Sequence, residues 1–214
     1  MPELNIAELR RNYTKGGLLE DELPENPLKL FKTWMKQAVD SEVMEPNAMA
    51  LATVKIVVAP NVRTVLMKGI EGDSIHFFTN YKSEKAMEIE ENPNVSASFW
   101  WPELERQLRF SGVAEKLNED QNEEYFSSRP RESQLGAWAS DQSSPVENRV
   151  ELEKKFREIE EKFDGREVPK PDYWGGYSIC LEEIEFWQGR PGRLHDRIMY
   201  KKLGNEWKMQ RLQP

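Results

Sequence analysis

Cysteine is almost missing from this chain. Cys180 is the only one in 214 residues, which excludes an intramolecular disulfide and any cysteine-built metal cluster. Histidine is nearly as scarce, and His76 and His195 fall in no close grouping, so no metal site is expected. Long apolar runs are also lacking: none approaches the roughly 20 residues that a membrane helix needs. The opening Met1-Pro-Glu-Leu-Asn-Ile6 has no charged-then-apolar layout of a secretory signal. Together these absences predict a soluble, intracellular, cytoplasmic protein with no membrane partner. Positive charge is outnumbered as well, with 30 Lys and Arg against 38 Asp and Glu and a net charge of −8. That balance argues against nucleic acid as a partner, while a local basic pocket for a small phosphate stays compatible with it.

What is present suffices for one sizeable core, since 38% of the residues are hydrophobic. Residues 1–25 are polar and mixed in charge, and they read as an N-terminal arm of weak intrinsic order ahead of a single domain over 26–214. Asn26 stands at an N-cap position and Pro27 at the first helical position. Leu28, Phe31, Met35 and Ala38 then recur at helical spacing to about Asp40. From Ala48 the pattern changes to β-branched and aromatic runs over 49–58, 62–69, 74–79, 95–101 and 107–117, separated by short turns. Five such strands predict an antiparallel meander closing into a barrel. Helices are expected over 83–91, with Ser83 as N-cap, and over about 118–128, ended by Arg129-Pro130. Ser144-Pro-Val-Glu147 reads as a capping box for a helix carrying Leu152, Phe156, Ile159 and Phe163, with Glu153, Lys154, Arg157 and Glu161 on its solvated face. A linker at Pro169-Lys-Pro171 leads to strand-like runs over 174–181, 184–187, 195–201 and 207–212.

Several stretches carry polar heads suited to anions. Arg63-Thr-Val-Leu-Met-Lys68 places cations at both ends of a strand. It precedes Thr79-Asn80 and Ser83-Glu-Lys85, where a helix N-terminus offers free N–H groups. Lys85 in that first turn opposes the helix dipole unless an anion sits there. Tyr125, Arg129 and Ser133 follow one another at four-residue spacing and can converge on a second anion. On spacing alone, though, a core-edge Tyr125 and a helix-terminal Arg129 fit better. Gln107 and the Ser140–Ser144 cluster add uncharged donors and acceptors without specifying a ligand. Glu185-Phe-Trp-Gln-Gly-Arg-Pro-Gly-Arg-Leu-His-Asp-Arg197 brings together an indole, three arginines and His195. As a strand it would put Arg193 and His195 on one face and Leu194 on the other. Taken alone, the run fits better a hairpin whose charges face water.

Assembled, the motifs resemble the pyridoxamine/pyridoxine 5′-phosphate oxidase family. They run from Leu9-Arg-Arg-Asn-Tyr-Thr-Lys-Gly-Gly-Leu18 through Phe77-Phe-Thr-Asn80, Glu105-Arg-Gln107, Tyr125-Phe-Ser-Ser-Arg-Pro130, Gln142-Ser-Ser144, Trp174-Gly-Gly-Tyr177 and Arg193-Leu-His-Asp-Arg197 to Arg211-Leu-Gln-Pro214. The resemblance implies an α+β, mainly β, antiparallel split barrel with peripheral helices, holding FMN at a homodimer interface. It implies that Arg63 and Lys85 hold the FMN phosphate beside Gln142 and Ser143. It further implies that Thr64, Val65, Leu66, Lys68, Phe78, Thr79, Gln107, Trp187 and Arg197 line the flavin. Lys68, Tyr125, Arg129 and Ser133 are implied to bind the substrate phosphate, and Arg193, Leu194 and His195 to lie at the substrate ring, with Arg193 and His195 catalytic. Arg10 to Tyr13 are implied to form a covering arm. The implied reaction is oxidation of pyridoxamine or pyridoxine 5′-phosphate to pyridoxal 5′-phosphate, with O2 reduced to H2O2.

Two departures stand out. Ser83-Glu84-Lys85 replaces the family's usual Ser-Arg-Lys, which predicts weakened FMN retention. Lys55-Ile-Val-Val-Ala-Pro-Asn61 replaces an Asp/Gly turn with an apolar segment. A non-catalytic split barrel that carries flavin or pyridoxal phosphate is the second reading. Glu84 favours that reading, whereas Arg193, His195, Tyr125 and Arg129 favour the enzyme. A nicotinamide-dependent flavin reductase lacks a dinucleotide fingerprint.

Overall fold

The computed structural model describes residues 5–9, 12–55 and 60–214. Arg10 and Arg11 of the expected covering arm and the apolar segment 56–58 lie outside the described residues. By packing, the chain divides into two compact units. The first is Met1–Met49 with Ala97–Ser111 and Glu182–Pro214, and the second is Ala50–Ser96 with Gly112–Leu181.

Helix α1 spans Pro27–Asp40, and the Leu28 N–H donates to the Asn26 side chain at 2.8 Å, as the cap position predicts. Its apolar face buries Leu28, Phe31, Trp34 and Ala38. Phe31 meets Phe99 at 5.6 Å between ring centroids and Trp34 stands edge-on to Phe186 at 5.1 Å, so the core of the first unit is aromatic. The strands are β1 (Ala48–Thr53), β2 (Asn61–Glu71), β3 (Ser74–Asn80), β4 (Asn94–Trp101), β5 (Arg106–Lys116), β6 (Trp174–Gln188), β7 (Asp196–Leu203) and β8 (Glu206–Leu212). They hydrogen-bond in the order β3-β2-β1-β4-β5-β6-β7-β8, and β3 also pairs with β6, which closes six strands into an antiparallel barrel. The expected barrel is therefore present. The closing register runs antiparallel from Ser74↔Cys180 to Asn80↔Trp174. It sets the end of β3 beside the start of β6.

Helix α2 is Glu84–Glu91, α3 is Glu119–Ser128, α4 is Arg131–Ala139 and α5 is Arg149–Lys162. In the second unit Phe126, Leu135, Phe163, Val168 and Trp174 form a buried cluster, against which Phe156 and Ile159 of α5 pack.

Three expectations need correction, and one helix is new. Helix α5 starts at Arg149, after Asn148, whose side chain accepts the Glu151 N–H at 3.0 Å, and not at the Ser144 capping box. Ser144 instead closes a turn onto Asp141. Helix α4 is an element that periodicity does not show; Gly136 weakens its pattern, but Arg131 donates to the Phe163 and Arg166 carbonyls and tethers it. The two strands expected over 174–187 are one, β6, whose backbone pairs with β3 as far as Cys180 and with β7 from Glu183 onward. Finally, Arg193 and His195 are not in a strand. Pro191–Arg193 is a 3-10 turn in which Gly192 and Arg193 both have positive φ, 66° and 63°.

Residues 13–24 owe their order to distant partners. The Thr14 and Lys15 N–H groups donate to Glu105, and Gln188 donates to the Lys15 carbonyl. Arg211 bridges Glu20, Asp196 and the Leu18 carbonyl.

Candidate functional site

The larger cavity lies in the second unit and has a volume of about 890 Å³. One wall is β2, which contributes Arg63, Thr64, Val65, Leu66 and Lys68, while Met67 turns into the core. The end of β3 contributes Phe78 and Thr79, and the start of α2 contributes Glu84 and Lys85. Tyr125, Arg129 and Ser133 come from α3, its C-cap and α4, and Gln142 and Ser143 from the loop before α5. Four cations against one carboxylate line this cavity in a chain whose net charge is −8. Such a concentration of one sign in a concave, partly desolvated site favours an anion.

Two sets of donors are distinguishable within it. In the first, Lys85 is buried, and its ammonium donates to Thr79 Oγ1 at 3.2 Å, Ser83 Oγ at 3.3 Å and Gln142 Oε1 at 3.2 Å. Burial, and then the nearby Arg63 charge, lower its pKa to about 8, against weaker opposing pulls from Glu84 and Glu88. Ser83 therefore holds Lys85 instead of capping α2 with its side chain. The Glu84 N–H donates to Ser143 Oγ at 3.2 Å, and Ser143 has φ 71°, a strained conformation for a serine. Glu84 itself is exposed at the rim.

The second set surrounds Arg129. Its guanidinium lies 4.6 Å over the Trp174 ring and 5.5 Å over Phe126. Tyr125 stacks on Phe78 at 3.9 Å, and Phe78 on Trp174 at 5.4 Å. Gly176 permits this, since a Cβ there would stand 2.8 Å from the Phe78 ring. Arg129 Nη1 is buried without a hydrogen-bond partner. Burial lowers the Arg129 pKa and Tyr125 partly offsets it. A buried guanidinium N–H left unpaired costs free energy unless an acceptor enters, so this atom marks a place for an anion's oxygen.

The first unit holds a second cavity, of about 720 Å³, lined by Leu9, Asn12, Tyr13, Trp187, Arg190, Gly192, Arg193 and His195. Tyr13 stands edge-on to Trp187 and to His195, each at 5.6 Å. Gly189 admits the phenol, because a Cβ there would lie 2.6 Å from the Tyr13 ring. The Arg190 N–H donates to His195 Nδ1 at 3.1 Å. A neutral imidazole that accepts at Nδ1 carries its proton on Nε2, so His195 offers the cavity a donor.

Residues 35–163 match the family described as pyridoxamine 5′-phosphate oxidase, and residues 174–214 match the pyridoxine 5′-phosphate oxidase C-terminal dimerisation region. The chain belongs to the pyridoxamine 5′-phosphate oxidase family. It is similar to a pyridoxine/pyridoxamine 5′-phosphate oxidase of Rubrobacter xylanophilus, 49% identical over 217 residues and covering 100% of both chains. A protein of the same name from Rippkaea orientalis is 50% identical over 212 residues, covering 99% of this chain and 100% of the other. Among solved structures, PhzG from Burkholderia lata 383, in complex with tetrahydrophenazine-1-carboxylic acid, superposes with a TM-score of 0.88 at 31% identity, covering 94% and 99% of the two chains. An FMN-binding protein from Nostoc punctiforme shares the fold at a TM-score of 0.70 and 16% identity, covering 88% and 98%.

Within the oxidase fold, the larger cavity brings together Arg63, Thr64, Val65, Leu66, Lys68, Phe78, Thr79, Lys85, Tyr125, Arg129, Ser133, Gln142 and Ser143. The smaller one brings together Tyr13, Trp187, Arg193 and His195. Among the described residues, three expected site residues line neither cavity. Gln107 is half-buried on β5, Leu194 is 73% exposed, and Arg197 donates to Glu185 at 2.7 Å and to the Gln213 carbonyl at 3.0 Å. Sequence reasoning missed Trp174 as a cavity wall, Arg190 as the group that orients His195, and Glu88 behind Arg63. Trp174 sits just after a linker and reads only as the first residue of a strand. Glu88 carries no signal of its own, being one of four glutamates in the eight residues of α2.

Proposed function

We propose that this chain is an FMN-dependent oxidase that converts pyridoxamine and pyridoxine 5′-phosphate to pyridoxal 5′-phosphate. The observation that carries the reading is the larger cavity, where two separate donor sets, around Lys85 and around Arg129, suit two phosphate groups. Arg63 and Lys85, with Gln142 and Ser143, hold the FMN phosphate, and the side chains from Thr64 to Lys68 with Phe78 and Thr79 face the flavin. Lys68, Tyr125, Arg129 and Ser133 bind the substrate phosphate. The unpaired Arg129 Nη1 and the cationic lining fit these groups. Gln107, Trp187 and Arg197 complete the flavin site at a homodimer interface, to which the matched dimerisation region contributes. FMN, when bound, supplies the two-electron acceptor for oxidation at the substrate C4′ carbon, and O2 restores it with release of H2O2.

The protein's part is position and charge. The phosphate clamp fixes one end of the substrate, which turns an encounter into an oriented one. Arg193 and His195 orient the substrate ring. With Nδ1 occupied by the Arg190 N–H, His195 donates from Nε2 to a ring acceptor and does not take the departing proton there. Tyr13 closes over this pair.

Glu84 at the cavity rim places an anion near the FMN phosphate. Glu84→Arg is expected to tighten FMN binding by about tenfold or more, one charge-assisted hydrogen bond being worth roughly 1.5–3 kcal/mol. Fluorescence titration of the flavin-free protein measures this, and unchanged affinity would show that Glu84 lies clear of the phosphate's field. The function itself is tested by the visible spectrum under anaerobic conditions. A bound flavin that bleaches on addition of pyridoxamine 5′-phosphate and returns with air establishes the oxidase. A protein that binds flavin without bleaching supports the carrier reading, which Glu84 at the rim favours.

A further inference from the structure

Glu88 is the most completely enclosed carboxylate at the larger cavity, with a side chain 0% exposed, yet it does not line the cavity. Three donors converge on it. Thr53 Oγ1 donates to Oε2 at 2.5 Å, Asn61 Nδ2 to Oε1 at 2.5 Å, and Arg63 Nη2 to Oε2 at 3.1 Å. Burial pushes this carboxyl's pKa up, but the three hydrogen bonds and the Arg63 charge outweigh it and hold the group ionised. The same shell grips the other end of the guanidinium: Arg63 Nη1 donates to Thr53 Oγ1, to the Asn61 carbonyl at 3.1 Å and to the Leu51 carbonyl at 3.4 Å.

A guanidinium has five N–H donors in a rigid plane. Here the Nη1 pair and one Nη2–H are taken by protein acceptors. The Nε–H and the second Nη2–H have none among the described residues. These two lie side by side on one edge of the plane and form a bidentate fork. Arg63 lines the cavity with its side chain 20% exposed, so the fork is the part of the group left for a ligand.

We infer that Glu88 is a positioning residue that sets the Arg63 fork for a phosphate and thereby makes the site select FMN over riboflavin. The inference rests on the reading of this cavity as the flavin-phosphate site. Glu88 cancels the charge of Arg63, so its value to the ligand is orientation and not attraction. An arginine freed from its anchor would keep its charge but lose the edge-on presentation that a phosphate needs.

The test is a comparison of FMN and riboflavin dissociation constants for the full-length, flavin-free protein and its variants. Wild type is expected to prefer FMN strongly. Glu88→Ala is expected to weaken FMN by about tenfold while riboflavin affinity stays within about twofold, since only the grip on the phosphate is impaired. Glu88→Gln, which keeps an oxygen for Thr53 and Arg63, is expected to restore most of the FMN affinity. If Glu88→Ala does not fold, Glu88→Asp withdraws the carboxylate by one methylene and is expected to show the same selective weakening. A parallel fall in FMN and riboflavin affinity, or an unchanged FMN/riboflavin ratio in the variants, would overturn the inference by making Glu88 merely structural. A wild type that does not distinguish the two flavins would instead remove the phosphate-site reading itself.

Discussion

Arg129→Met is expected to lower kcat/KM for pyridoxamine 5′-phosphate by about one to two orders of magnitude, because a charge-assisted hydrogen bond to a phosphate is worth roughly 1.5–3 kcal/mol. The effect should fall mainly on KM. Arg129 sits with Tyr125 and Ser133 and has no part in the Lys85 donor set, so bound flavin should be retained and should still bleach slowly at high substrate. The same variant should not lower the melting temperature of the substrate-free protein. Arg129 Nη1 is buried without a partner, and burial depresses the pKa of the group. The fold therefore carries a desolvation penalty that methionine removes while keeping its packing against Trp174 and Phe126. Steady-state kinetics and thermal unfolding of one variant decide the matter. Normal KM with a fallen melting temperature would make Arg129 a packing residue and return Tyr125 and Arg129 to the core-edge role that their spacing alone suggests.

That pair shows what the sequence can and cannot tell. Tyr125 and Arg129 four residues apart fit both a helix terminus and an anion site, and the structure contains both, since Arg129 is the C-cap residue of α3 while its guanidinium enters the cavity. Periodicity and capping residues locate α1, α2, α3 and the body of α5, and alternation locates the strands, because each element buries one face and so repeats its apolar residues. They fail where order comes from elsewhere in the chain. Helix α4 is tethered through Arg131 to carbonyls more than thirty residues away, and no local pattern registers that. The Arg193–His195 stretch alternates like a strand, yet Pro191 and Gly192 fold it into a turn. That turn still brings Arg193 and His195 to one cavity, which a strand would have done by a different geometry. Glu88, Thr53 and Arg190 are silent in the sequence because each acts through a neighbour, and a sequence does not show which neighbour a buried carboxylate or a backbone N–H will meet.

Lys85 is the residue whose odd placement is legible and whose consequence is quantitative. A lysine in the first turn of a helix, behind a second cation, pairs poorly with its surroundings until an anion arrives. With a pKa lowered from 10.5 to about 8, it is protonated in the flavin-free protein at pH 7 and largely neutral at pH 9.5. In the unfolded chain it stays protonated through that range. The folded, flavin-free state therefore binds fewer protons than the unfolded state between about pH 8 and 10.5, and its stability rises with pH across that window. Below pH 8 the full penalty of a buried cation is present. An FMN phosphate at Lys85 restores the charged form, so binding above pH 8 must take up a proton. The dissociation constant for FMN is then expected to be flat near neutral pH and to rise above pH 8, reaching about thirtyfold by pH 9.5, a limit of tenfold per pH unit. The thermal stabilisation given by FMN should shrink over the same interval. Lys85→Arg, charged throughout, should flatten the profile, and riboflavin, which lacks the phosphate, should show no inflection in wild type. An FMN profile that stays level from pH 7 to 9.5 would mean that Lys85 does not face the phosphate. The cation with an unpaired fork, Arg63, would then be left to hold it with Ser143 and the helix terminus.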